Sequence, residues 1–435
     1  MAGGYTLLGD TEEREKDKKA NGKMVESETE PLRVPDDLTL TPELTCDPPG
    51  PPRDLISVFV VTFDPKEGNL LEWCVPKGVS LDGVEFRALI SGAHTITSDF
   101  IYFRQGDFYG TACYKKMALM SESERGVRMK SVGVVVSHYS QLHPHLPHLA
   151  KFVRYVLHHP GNYKILQEYF DARRAPSPPP TSWHAPPRVT SGGSPAPLTP
   201  TTPATPSSPA LQGPNDGTRQ WLEESPYHFI QALGEQLVCL WRASLLCKRI
   251  LLFSEPPIGW KCHWVYLISL LGAHSTPGLP SALLRPLYYV SLADLDLLAD
   301  QHAYVACTTE KIFEEKPAIY DLYIEGQKVR IIHKLPAITT VTPEDRLRLS
   351  TLFSQPNLTQ GDLLAFFRDL NDAIFAILYR ASSVGGSGVI EKEDLAAVGL
   401  NRRDDCAFVR ELAATHGFDV SVRGGSGCGC CPCVL

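Results

Sequence analysis

Apolar and polar positions along the 435-residue chain form two ordered blocks, separated by a stretch with no apolar pattern. The first block begins at Asp54. DLISVFVVTFDP is β-branched and aromatic, and NLLEWCVP follows after Lys66-Glu67-Gly68, which predicts a hairpin. Val84–Ile90 reads as a short helix. SDFIYFRQGDFYGTACYKK reads as two strands joined at Gln105-Gly106-Asp107, and Lys130–His138 as a further strand. Helical spacing over 146–158 and 162–172 closes the block. A meander of strands followed by helices predicts an α+β layer arrangement.

The second block resumes near Trp221. Tyr227–Leu246 has helical spacing, Lys248–Ser254 reads as a buried strand and Ile258–Leu271 as an apolar helix. Pro286–Val290 predicts a strand, Leu292–Ala299 a helix, Tyr304–Cys307 a strand, Thr309–Glu315 a helix and Tyr320–Ile324 a strand. Strands and helices alternating at this spacing predict a parallel α/β sheet. From Thr342 the pattern is helical throughout, over 342–355, 361–381, 391–398 and 404–416. The first of these starts T-P-E-D, an N-cap threonine with proline at N1 and acids in the first turn.

Between the blocks the composition changes. Thirteen of the 36 prolines fall in residues 175–219, with Ser, Thr and Gly and little charge. Such a segment cannot bury enough apolar area to offset its ordering entropy, and reads as a partly extended linker. The expected organisation is a disordered N-terminus (1–52), a first lobe (53–173), the linker (174–219), a second lobe (220–338), a helical part (339–422) and a Cys-rich tail (423–435).

Composition and charge narrow the function classes. Apolar residues make up 43% and charged residues 21%, as in ordinary globular chains. A net charge of -7 argues against nucleic acid as a partner. There is no run of 18 apolar residues, no apolar secretory segment at the start, and Ala2 stands where myristoylation needs glycine. The expected location is cytoplasmic, with peripheral association on intracellular membranes as an extension.

Several motifs offer chemistry. Cys307 ends a strand before a predicted helix, where a thiolate would be stabilised. No Cys-x5-Arg follows, since Phe313 stands in the arginine's place. A small residue closing a strand, with Thr308 or Thr309 capping the helix, is the better reading. Gly4–Thr11 mimics a phosphate loop but carries Asp10 where lysine is needed. His138, His143, His145 and His148 are interrupted by Pro144 and Pro147 and lack acids in sequence, so they read as a helix entry and not a zinc site. In the tail, Cys428, Cys430, Cys431 and Cys433 suit reversible palmitoylation, and Pro432 occupies the prenylation position. In the linker, Ser177, Ser194, Thr199, Thr202, Thr205 and Ser208 each precede proline and are candidate phosphorylation sites. Arg173–Pro179 and Pro48–Arg53 fit SH3-domain ligands in opposite orientations. No nucleophile elbow, metalloprotease motif, dinucleotide fingerprint or kinase set is present, so no catalytic residue, metal or cofactor is implied.

Three sets of segments carry a family resemblance. VACTTEKIFEEKPAIYDLYIEGQKV and LWRASLLCKRILLFSEPPIGWKCHWVYLISLLGA resemble the core of DENN domains. VFVVTFDPKEGNLLEWCVP, GVEFRALISGAHTITSDFIYFRQGDFYGTACY and ERGVRMKSVGV resemble the longin-like lobe that precedes it. The resemblance covers roughly 54–172 and 219–420. It implies a longin-like lobe, an α/β core lobe and a helical downstream part. It also implies a guanine-nucleotide exchange factor that grips a Rab-type small GTPase between two lobes, without covalent chemistry of its own. The alternatives are a scaffold that binds a GTPase or tether complex without exchange, and an activator of GTP hydrolysis through an arginine. On this resemblance Cys307 is structural.

Overall fold

A computed structural model describes residues 53–118, 126–175, 226–279, 284–332, 336–355, 358–383 and 385–423. The first strand pair is β1 (Leu55–Asp64) and β2 (Gly68–Val75), antiparallel as predicted. The Asp64 carboxylate accepts the N–H groups of Lys66 and Glu67 and so fixes the turn. Helix α1 (Val84–Ala88) follows, then β3 (Ser98–Gln105) and β4 (Phe108–Ala118), joined by a two-residue turn. Strand β5 (Val127–Val136) pairs with both β4 and β1. Helices α2 (Leu146–His158) and α3 (Lys164–Arg173) complete this half.

Two glycines shape its centre. A Cβ at Gly110 would lie 2.3 Å from the Phe103 ring, and one at Gly133 would lie 2.2 Å from the Phe59 ring. These slots let the two phenylalanines meet edge to face at 6.1 Å.

The second half opens with α4 (Tyr227–Leu233) and α5 (Gln236–Leu245), where one helix was predicted. Gly234, at φ +54°, breaks the helical run between them. Then come β6 (Arg249–Phe253), α6 (Gly259–Leu270), β7 (Arg285–Tyr289), α7 (Leu295–Ala299), β8 (Tyr304–Thr308) and β9 (Leu322–Glu325). Strands β6 to β9 are parallel, as predicted. The hairpin partner β10 (Lys328–Ile331) adds an antiparallel edge not anticipated from sequence. The segment after β8 is a 3₁₀ turn over Lys311–Glu315, not an α-helix, and neither threonine caps its start from a side chain.

Both halves share one ten-stranded sheet, ordered β10-β9-β6-β8-β7-β3-β4-β5-β1-β2. On one face of the parallel half, Ile250, Leu252, Val305 and Cys307 pack toward α5 and α6. On the other face, Leu251, Phe253 and Ala306 join Leu298 and Phe313, beneath α7 and the 3₁₀ turn. Short helix α8 (Pro336–Thr339) then leads to α9 (Pro343–Phe353), α10 (Gln360–Ser382), α11 (Lys392–Ala397) and α12 (Arg402–Thr415). Thr342 caps α9 by accepting the Asp345 N–H, as its T-P-E-D sequence predicts.

Candidate functional site

The two halves of the sheet meet at β3 and β7. Only Phe103 and Tyr288 pair there. Pro286 supplies no N–H, and β7 bulges against its other neighbour, β8, between Pro286 and Tyr288. The ladder therefore cannot lengthen, and side chains make most of the join.

Asp99 on β3 provides the most buried tie. Its Oδ2 accepts the Ile258 N–H at 2.6 Å, and both oxygens lie 3.3 Å from the Gly259 nitrogen at the start of α6. Helix α6 is thus capped by a residue about 160 positions earlier. Burial pushes the Asp99 carboxyl up to about 7, against the pull of the Ile258, Phe100 and Gly259 N–H donors.

Arg87 on α1 provides the second tie. Its guanidinium donates to Asp294 Oδ1 at 2.5 and 3.0 Å and to Gln105 Oε1 at 2.7 Å. Asp294 in turn accepts the Ser291 N–H at 2.9 Å, which orients it. Thr309 supplies a third tie, donating to the Ser91 carbonyl at 2.9 Å, while Thr308 accepts the Glu310 N–H at 3.2 Å.

These ties fill a place that other doubly wound sheets leave for ligands. The chain leaves β6 over one face, through α6, and leaves β8 over the opposite face, through the 3₁₀ turn. Adjacent strands with divergent exits form a topological switch point. Here the loop at Ser91 and Gly92 enters it. A Cβ on Gly92 would stand 3.1 Å from Pro256, and Thr309 closes the other side.

The α1 face beside the seam is thinly covered. Phe86, Leu292 and Ile312 are 43, 41 and 49% exposed. They are linked through their neighbours: Arg87 binds Asp294, and the Leu292 N–H donates to Glu310 Oε2 at 2.7 Å. Leu297 on α7 is also exposed. Around them, residues 84–88, 292–300 and 310–316 hold seven carboxylates against three cations, so the rim is acidic. Exposed apolar groups bridging two halves of a molecule suit a protein partner.

Other candidates fall away. Cys307 is fully buried, with its Sγ 3.6 Å from Cys262 Sγ. Burial and the neighbouring thiol hold its pKa well above the ordinary thiol range, so it is no nucleophile. Among the described residues no group of His, Cys, Asp and Glu could hold a metal. His145 instead bonds Tyr169 Oη at 2.7 Å and approaches Asp54 at 3.3 Å. That acid lies far away in sequence, beyond the reach of any near-neighbour spacing. No described helix is long and apolar enough to cross a membrane. Cys428, Cys430, Cys431, Cys433, Ser177, Ser194, Thr199, Thr202, Thr205 and Ser208 lie outside the described residues, as do the prolines of Pro48–Arg53. Sequence reasoning named none of Arg87, Asp99, Asp294 or Phe86. Each acts through a partner that only the folded chain brings near.

Comparison with known proteins adds a family. The family described as DENN domain-containing protein 11 matches residues 58–335. Mouse DENN domain-containing protein 11 is 36% identical over 386 residues, covering 84% of this chain and 81% of its own. The Xenopus laevis protein of that name is 34% identical over 408 residues, covering 88% and 87%. The Danio rerio protein is 36% identical over 383 residues, covering 84% and 76%.

Proposed function

The chain belongs to the DENN domain-containing protein 11 family, and from that premise we propose that it is a guanine-nucleotide exchange factor for a Rab-type small GTPase. DENN domains as a class regulate such GTPases. The observation that carries the reading here is the exposure of Phe86 in one half and of Leu292 and Ile312 in the other, on segments that Arg87–Asp294 ties across the seam. A GTPase docked on it would touch both halves at once, with basic groups facing the acidic rim.

The mechanism needs no catalytic side chain. Nucleotide bound at picomolar strength is held by about 16 kcal/mol. The exchange factor binds the nucleotide-free, open GTPase more tightly than the closed one, and linkage makes the effect reciprocal. A thousandfold faster release asks for roughly 4 kcal/mol of differential binding. Apolar contacts to a surface that straddles two halves of one sheet can supply it in small parts.

The test is release of fluorescent GDP from a panel of purified Rab GTPases, with the full chain as catalyst. Acceleration on one or two members is expected. Phe86→Asp should weaken it by at least about tenfold, equivalent to roughly 1.4 kcal/mol of lost contact, with the unfolding midpoint unchanged. Binding to a nucleotide-free Rab without acceleration would favour the scaffold reading. The absence of both acceleration and binding would overturn GTPase regulation at this surface.

A further inference from the structure

A cluster of phenols lies at the seam on the α6 face. Tyr139 stacks between Tyr266, with centroids 4.5 Å apart, and Tyr288, at 5.2 Å and an interplanar angle of 4°. Tyr102 and Tyr109 flank the stack, at 6.1 Å from Tyr139. Arg104 lies over Tyr109, with its Cζ 4.0 Å from the ring centroid. The first half contributes Tyr102, Arg104, Tyr109 and Tyr139, and the second half Tyr266 and Tyr288.

Packing alone does not explain these residue types. Tyr102 and Tyr288 are 4 and 1% exposed, yet neither hydroxyl has a hydrogen-bond partner, and the same holds for Arg104 Nε. Phenylalanine would stack equally well and leave no buried hydroxyl unsatisfied. Tyr288 also sits at φ +60°, a left-handed conformation that costs a bulky residue energy. The Arg104 charge has no carboxylate partner among the described residues, and Arg285, a second cation, acts on it electrostatically. Arg285 itself donates to the Gly106 carbonyl at 3.0 Å and to Asp107 at 3.2 Å. A half-buried guanidinium that bonds the neutral Tyr109 hydroxyl and no anion is costly, and its N–H groups can only donate.

We infer that this cluster is a binding site for an oxyanion of the phosphate class, held by Arg104 and the hydroxyls of Tyr102 and Tyr288. Two guanidiniums beside unpartnered hydroxyls suit a tetrahedral dianion better than a planar carboxylate. Because its donors come from both halves, the bound anion would brace the seam. It is distinct from the apolar surface on the opposite face, so it stands whether or not that surface binds a GTPase. The anion could come from a soluble phosphate or from an inositol lipid headgroup.

The experiment follows thermal unfolding of the full chain in sodium phosphate and in sodium chloride at equal ionic strength. The expected result is a rise in Tm that grows with the logarithm of phosphate concentration, as binding to the folded state alone requires. Arg104→Met should abolish it, and Tyr102→Phe should raise the phosphate concentration needed by about tenfold, the worth of one charge-assisted hydrogen bond. Tyr102→Phe removes one buried hydroxyl without removing the ring, so it keeps the test usable if Arg104→Met fails to fold. Co-sedimentation with phosphatidylcholine vesicles, with and without phosphatidylinositol monophosphate, assigns the source. Arg104-dependent capture by the inositide vesicles means a headgroup, and phosphate binding without capture means a soluble ligand. A rise linear in phosphate concentration, or one of equal size in Tyr102→Phe at every concentration, would be a general salt effect and would overturn the site.

Discussion

Two junctions hold this molecule together, and they are built differently. Where the sheet meets the C-terminal helices, α5 presents Trp241 and Arg242, both fully buried. Trp241 Nε1 donates to Asn371 Oδ1 at 2.7 Å, and the Asn371 amide donates to the Leu271 and Ala273 carbonyls, each at 2.8 Å. Arg242 binds Asp345 at 2.7 Å and Asp405 at 2.6 Å, and Arg348 adds a further pair to Asp345 at 2.7 Å. Two cations thus face two anions, and all four have charged partners, with Arg242 Nε alone left without a hydrogen bond in this group. Where the two halves of the sheet meet, one ladder position is supplemented by the Asp99, Arg87 and Thr309 ties. The first junction is closed against water and charge-balanced. The second has few backbone hydrogen bonds and lies beside exposed apolar groups, which are the marks of a region that opens before the rest. A protein that must yield to a partner can do so at the seam without loosening its helical base.

The largest effect expected from this contrast is at the closed junction. Arg242→Ala leaves Asp345 and Asp405 buried without their shared cation. Breaking a buried pair on one side costs about 3–5 kcal/mol. Urea unfolding of the variant should show a loss of that size. A loss no larger than that of Arg87→Ala at the seam would erase the distinction between the junctions.

Legibility in the sequence divides along similar lines. Contacts between chain neighbours could be read. The alternating and β-branched runs predict β1 to β9 in order, and the T-P-E-D start predicts the cap of α9. Failures came where local pattern is weak. KVRI in β10 is too short and too polar to read as a strand, and it forms because β9 offers a free edge. Gly234 interrupts an apolar run whose spacing otherwise reads as one continuous helix. The predicted threonine cap failed because Thr309 turns to Ser91 across the seam. The site was nearly illegible for the same reason. Asp99 and Gly259 are about 160 positions apart, and Arg87 and Asp294 about 207, so no spacing rule relates them. An isolated aspartate before an apolar strand was the one available signal, and it resembles a turn residue.

Protonation should sharpen the difference between the junctions. Asp99 moves from an ordinary value of 3.8 to about 7 in the fold. A carboxyl raised in this way stabilises the fold fully below pH 3.8, and that contribution is lost as pH rises through 7. The shift corresponds to roughly 4 kcal/mol at most. Unfolding free energy measured from pH 4 to 9 should therefore fall more steeply for the wild type than for Asp99→Asn, which cannot ionise. Parallel curves for the two proteins would mean that the α6 N–H donors hold Asp99 ionised throughout, and the seam would then have no such dependence.

The smallest expected effect is also the most local. Arg87 is partly exposed, with its side chain at 15%, whereas that of Asp294 is at 1%. Arg87→Ala removes the hydrogen bonds to Asp294 and Gln105 but leaves Asp294 its Ser291 N–H donor. The cost should be about 1–2 kcal/mol, the range for hydrogen bonds to a charged group that water can partly replace. Amide hydrogen exchange would locate it. Faster exchange is expected in β3, β7 and the loop at Ser91, with protection in α5 and α10 unchanged, because those helices belong to the other junction. Uniform acceleration across all of these elements would mean that the two junctions open as one cooperative unit, and that the seam is not a separate point of yield.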